Sequence, residues 1–149
     1  MSKKVLMVCL GNICRSPLAE GILKSKVEKD TIVDSAGTAA YHIGEHPDKR
    51  SIEIAKYNEV DISSQRARKI SSSDFEEYDF IYAMDKENYN NLRAIAKNNF
   101  QRDKVKMIMN ELYPDKNIDV PDPYYGGEKG FEQVYKMLDK ATDKIIEKL

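Results

Sequence analysis

The chain is predicted to fold as an α/β protein, a single-domain, doubly wound four-stranded parallel sheet with helices on both faces, over residues 1–149. Three observations predict it. Short apolar runs rich in β-branched residues alternate with amphipathic stretches at helical spacing, the pattern of a parallel sheet covered by crossover helices. A chain of 149 residues holds one full core and not two comfortable ones. No repeat or low-complexity tract interrupts the alternation, and right-handed crossovers leave few topologies for it to adopt.

The elements follow in order. Residues 5–9 form a first strand, apolar throughout as a strand buried on both faces must be. Residues 16–28 form a helix with Ser16 as N-cap, Pro17 in the first turn, and Leu18, Ile22, Leu23 and Val27 on one face. Residues 31–35 are a second strand, and residues 48–57 a helix that buries Ile52, Ile54 and Ala55. A third buried strand spans 80–84, after which Asp85 caps a helix running towards Lys97. Residues 105–109 are a fourth strand, placed at the sheet edge by Lys106, and residues 128–148 a long helix carrying Phe131, Val134, Tyr135, Leu138, Ile145 and Ile146. The irregular stretch 113–129 is long for a compact domain, and such loops are usually functional.

With 24 basic and 25 acidic residues the net charge is −1, so no global field recruits nucleic acid or an anionic membrane. The N-terminus runs straight into strand pattern without an apolar targeting segment, and no stretch is apolar enough to span a bilayer, which predicts a cytoplasmic protein. Two cysteines five apart do not make a disulfide framework, and His42 and His46 have no zinc-ligand spacing. Neither a metal nor another cofactor is implied.

The chemistry is concentrated in Val8-Cys9-Leu10-Gly11-Asn12-Ile13-Cys14-Arg15-Ser16-Pro17, where a strand gives way to a helix. Five residues between Cys9 and Arg15 can wrap a tetrahedral dianion with the N–H groups from Leu10 to Arg15 turned inward, Gly11 letting the turn close. Arg15 adds a planar fork for two phosphate oxygens, and the helix N-terminus lies beneath the anion. The same field favours the thiolate of Cys9, a nucleophile. Read blandly, Cys9 would be the buried end of a strand and Arg15 a surface residue. The apolar run before the pair and Ser16-Pro17 after it outweigh that reading.

Taken whole, this segment resembles the active-site loop of the low-molecular-weight protein tyrosine phosphatases, and the resemblance extends over the chain. It implies a flavodoxin-like sheet and hydrolysis of phosphotyrosine in proteins through a phosphocysteine. Such a reaction needs a general acid held over the loop. Pro121-Asp122-Pro123-Tyr124-Tyr125 supplies a candidate: Asp-Pro is by itself a turn signal, but the family carries its acid in an Asp-Pro followed by aromatics near the C-terminus. A phosphotyrosine ring also needs apolar walls, and the resemblance offers Tyr41, Tyr124 and Tyr125, with Ile13 packing on the ring. Read without the resemblance, these tyrosines are merely exposed or half packed.

The resemblance further implies that Asn12 holds the loop in its strained shape, that Ser16 stabilises the leaving thiolate, and that Ser35 buttresses Asn12. Asp85 is then the partner of Arg15 as well as a helix cap. Many relatives place a histidine bonded to the loop asparagine where this chain has Gln65, which can still donate a hydrogen bond but cannot titrate. Cys14 is either a small buried residue packing the loop or a redox partner that captures an oxidised Cys9. The expected partners are phosphotyrosine proteins, with phosphate or vanadate as inhibitors and a monomer or weak dimer as the working unit. Two enzymes of the same fold compete. Arsenate reductases need further cysteines, and protein arginine phosphatases tend to have threonine at the position of Ile13. A phosphate-binding adaptor without catalysis would need neither Cys9 nor Asp122.

Overall fold

Strand β1 (Lys4–Cys9) is the centre of the molecule, and its alternation decides what lies on each side of the sheet. The computed structural model describes residues 3–149, apart from the side chain of Tyr125. Strands β2 (Ile32–Gly37), β3 (Phe80–Ala83) and β4 (Val105–Met107) complete one parallel sheet in the order β2-β1-β3-β4. Because successive side chains of a strand point to opposite faces, Val5, Met7 and Cys9 enter one core and Leu6 and Val8 the other.

The first core is roofed by α1 (Arg15–Lys24) and α6 (Gly127–Ile146), through Leu18, Ile22 and Leu23 and through Val134, Leu138, Ala141 and Ile145. Helix α2 (Lys49–Tyr57) joins this side with Ala55. The second core packs Phe75 of the short helix α3 (Asp74–Glu77) and Leu92 of α4 (Lys86–Ile95) on Leu6, Val8 and Ile81, and another short helix, α5 (Asn99–Arg102), leads into β4. The predicted fold class is therefore the observed one.

Several element boundaries differ from expectation by a residue or two, and α1 and β4 differ most. Helix α1 begins at Arg15 with Cys14 in the cap position, so Ser16 is not the N-cap; its hydroxyl serves the cysteine instead. The helix ends at Lys24, earlier than expected, where Ser25 Oγ donates to the carbonyl of Ile22. The last two residues of the predicted fourth strand, 108 and 109, instead open a tight 3₁₀ turn, Ile108–Glu111. The helices α3 and α5 are single turns, too short to register as a periodic pattern.

The chain passes from β1 out to β2 and then back to β3, so the strand order reverses between β1 and β3. In open parallel sheets the crevice at such a reversal, beyond the carboxyl ends of the strands, receives the ligand. Cys9 ends β1, and Asp85 follows β3 within two residues. At the neighbouring edge of the crevice a Cβ on Gly37 would lie 2.7 Å from the Leu10 carbonyl oxygen and 3.2 Å from the Asn12 nitrogen. These are backbone atoms that cannot swing aside. Gly37→Ala is expected to cost about 1–3 kcal/mol and to weaken phosphate inhibition, as read by denaturant melts and competitive kinetics.

Candidate active site

Residues 9–15 connect β1 to α1 in a curl whose left-handed turn falls on Asn12, with φ 59°. Asparagine is among the few side-chain-bearing residues that tolerate this region. Gly11 plays a different part from the expected one: a Cβ there would meet His42 Cδ2 at 3.0 Å, so its missing side chain makes room for the imidazole. His42 is in turn oriented by Glu45, whose carboxylate lies 2.7 Å from Nδ1.

Asn12 is buried and spends its side chain on three partners. Its Nδ2 donates to Ser16 Oγ at 2.9 Å and to Ser35 Oγ at 3.0 Å, while Oδ1 accepts from the Arg68 backbone N–H at 3.0 Å. Ser35 Oγ donates to Glu20 Oε1 at 2.6 Å, and Glu20 also receives Lys24 Nζ at 2.7 Å. An ionised carboxylate only accepts, so Ser35 gives its proton to Glu20 and accepts from Asn12, while the Arg68 N–H fixes Asn12 Oδ1 as the acceptor end of the amide. Ser16 Oγ accepts from Asn12 and lies 3.0 Å from Cys9 Sγ, to which it donates when the sulfur is a thiolate. The Asn12 N–H donates to the same sulfur at 3.3 Å. Burial, opposed by the bonds from Lys24 and Ser35, holds the Glu20 carboxyl above its ordinary range.

Arg15 is 5% exposed and crosses the crevice from α1. Its Nη1 donates to Asp85 Oδ2 at 2.7 Å and to the Val120 carbonyl at 2.9 Å. Asp85 also caps α4 by accepting from the Asn88 N–H. Burial opposes the charge on Arg15, but the sulfur of Cys9 and the carboxylate of Asp85 outweigh it and keep the guanidinium more firmly protonated than usual. For Cys14 the balance runs the other way: burial, with the negative charges of Asp48, Cys9 and Asp122, pushes the thiol up to about 12. Both cysteines are free thiols.

Cys9, Leu10, Gly11, Ile13, Cys14, Arg15, Tyr41, His42, Asp122 and Tyr124 line one pocket of about 280 Å³. The two segments expected to cooperate, more than a hundred residues apart, thus meet over Cys9. Asp122 caps the 3₁₀ turn Pro123–Tyr125, its Oδ1 accepting from the Tyr124 N–H at 3.0 Å. Tyr41 and Tyr124 are wall residues with open outer faces, 75% and 51% exposed. The side chain of Tyr125 lies outside the described residues. Asn12, Ser16 and Asp85 stand behind the pocket and bond to its lining, and Ser35 bonds to Asn12 one step further back. Gln65 does not reach Asn12: its Nε2 donates to the Pro17 carbonyl at 3.1 Å. Glu20, His42 and the Arg68 amide belong to the site without having been singled out in the sequence. Nothing marks Glu20 there beyond one acidic residue two places from Leu18 and Ile22.

A buried cysteine at the end of a strand, an arginine across from it and a carboxylate above both define a cysteine-dependent phosphate-ester hydrolase. A family model described as low molecular weight phosphotyrosine protein phosphatase matches residues 4–149. The chain is 44% identical to the low molecular weight phosphotyrosine protein phosphatase of Schizosaccharomyces pombe, over 98% of this chain and 96% of that protein. It is 37% identical to the human protein so named, over 99% and 96% of the two. A protein tyrosine phosphatase structure from Entamoeba histolytica with Hepes in its active site superposes with a TM-score of 0.91 at 39% identity, covering 98% of this chain and 96% of that one. A Drosophila arginine phosphatase superposes with a TM-score of 0.90 at 31% identity, over 97% and 96%. The chain belongs to the low molecular weight phosphotyrosine protein phosphatase family.

Proposed function

We propose that the chain hydrolyses phosphotyrosine in proteins by two displacements at Cys9, with Arg15 as phosphate clamp and Asp122 as acid and then base. In the first, Cys9 Sγ attacks phosphorus, the bond from phosphorus to the phenolic oxygen breaks, and Asp122 gives that oxygen its proton. The amides of residues 10–15 and Arg15 stabilise the equatorial oxygens. In the second, the Asp122 carboxylate takes a proton from water as its oxygen attacks phosphorus, the sulfur–phosphorus bond breaks, and the Ser16 proton stabilises the departing thiolate. Asn12, Ser35 and Asp85 hold these groups in place. The single observation that carries the reading is the convergence of Cys9, Arg15 and Asp122 on one pocket.

The pocket walls Tyr41 and Tyr124 suit a phenyl ring, and Ile13 on its lining narrows it against a phosphoguanidinium. The working unit is a monomer or weak dimer, and inorganic phosphate or vanadate occupies the same cradle as an inhibitor. Two free thiols at a thiolate site suit the reducing cytoplasm.

Asp122→Asn is expected to lower kcat/KM for a phosphotyrosine peptide about a hundredfold or more, and far less for p-nitrophenyl phosphate, whose leaving group departs without a proton. Equal losses would make Asp122 a structural turn. Phosphotyrosine, phosphoserine and phosphoarginine peptides assayed side by side test the substrate, and preference for phosphoarginine would overturn it.

Cys14 is proposed as a resolving thiol: peroxide oxidises Cys9 to the sulfenic acid, Cys14 attacks its sulfur, and water leaves as the disulfide forms. Because the attacking form is the thiolate and the Cys14 thiol is held up to about 12, capture is expected to accelerate continuously from neutral pH to pH ~10. After peroxide, a thiol reductant should restore activity to the native protein and not to Cys14→Ser. Equal recovery would remove the redox function.

A further inference from the structure

Arg50, in the first turn of α2, makes more ordered contacts than any motif in the sequence requires. Its N-cap neighbour Asp48 grips the guanidinium in a fork, Nε to Oδ1 and Nη2 to Oδ2, both at 3.1 Å. Bidentate pairs of this kind fix orientation as well as distance. Held so, the guanidinium donates from Nη1 to the Tyr124 carbonyl at 3.2 Å. Its carbon also lies 5.0 Å from the Tyr124 ring centre and 4.7 Å from that of Phe131, both within cation–π range.

The base of this arm is fastened to the phosphate loop. The Asp48 N–H donates to the Ile13 carbonyl at 2.7 Å, and Ser51 Oγ to the Cys14 carbonyl at 3.3 Å. The loop bearing Asp122 is thus pinned on both sides. Before Asp122, Val120 gives its N–H to the Met84 carbonyl at 2.8 Å and receives Arg15 on its own carbonyl. After it, Tyr124 is held by Arg50, and the Tyr124 N–H is what orients the Asp122 carboxylate.

We propose that Arg50 is a positioning residue for the reaction: it ties the turn that aims Asp122 to the start of α2, which is itself fastened to the phosphate-loop carbonyls of Ile13 and Cys14, so that acid and thiolate keep one geometry. The inference rests on Asp122 being the general acid. Arg50 touches no reacting atom, and its removal changes only how often the carboxyl stands where the phenolic oxygen needs it.

The test is the dependence of log kcat/KM on leaving-group pKa across aryl phosphates from p-nitrophenyl to phenyl and a phosphotyrosine peptide. Arg50→Met is expected to lose about tenfold on the peptide and less than about twofold on p-nitrophenyl phosphate, steepening the dependence. Arg50→Lys keeps a charge but neither fork nor stack, and should behave like Arg50→Met. Inhibition by inorganic phosphate should match the native protein and the variant should still melt in one cooperative transition, and in an Asp122→Asn background Arg50→Met should add no further steepening. Uniform losses over all leaving groups would overturn the proposal, as would an effect confined to KM. If Asp122→Asn steepens the dependence and Arg50→Met does not, only the positioning function fails. If Asp122→Asn itself leaves it flat, the acid assignment fails first.

Discussion

The left-handed turn at Asn12 is the constraint on which the rest of the site depends. A loop that curls tightly enough to enclose a tetrahedral anion must reverse its backbone once, and the reversal costs energy for any residue with a Cβ. Here it is held by three hydrogen bonds from the Asn12 side chain to α1, to β2 and to the Arg68 amide. Two anchors belong to elements with their own places in the core, α1 and β2, and the third, Arg68, is held to the end of β2 by the Gly37 N–H on its carbonyl. The loop is therefore shaped before any ligand arrives, which is the condition for stabilising charge in a transition state without reorganisation.

The polarity of that network matters as much as its existence. Glu20 sits at its far end, 3% exposed, and the carboxylate is costly to bury. What the burial secures is Ser35: its proton goes to Glu20, and its oxygen is left to accept from Asn12, one of the bonds that hold the loop. Arg15 applies a similar logic across the crevice, joining α1 to the end of β3 and to the loop before Asp122. Residues from opposite ends of the chain meet because the strand order reverses between β1 and β3.

What could be read from the sequence divides along physical lines. The strands 5–9 and 80–84 and the last helix were legible because burial on one or two faces writes a local pattern. That Cys9, Arg15 and Asp122 share one pocket was foreshadowed because a phosphate-enclosing loop and a proline-flanked carboxylate are local too. Ser16 was misread as a cap because a serine before a proline looks the same whether its hydroxyl meets a backbone N–H or a sulfur. Gly11 was credited with a turn that Asn12 makes, since sequence does not reveal which residue of a curl carries the positive φ. Glu20, His42 and Arg50 have partners that are either distant in sequence or indistinguishable from solvated surface pairs. No periodicity points to them.

The central claim is that the side-chain bonds of Asn12, and not merely a left-handed residue at that position, hold the phosphate loop ready. Asn12→Gly separates the two, because glycine adopts the same backbone conformation freely and makes none of the bonds. The decisive quantity is the competitive inhibition constant of inorganic phosphate. It should rise about tenfold or more in Asn12→Gly, as expected for losing hydrogen bonds that preorganise a buried anion site. A constant equal to that of the native protein would mean that backbone freedom alone shapes the loop, and would contradict the account.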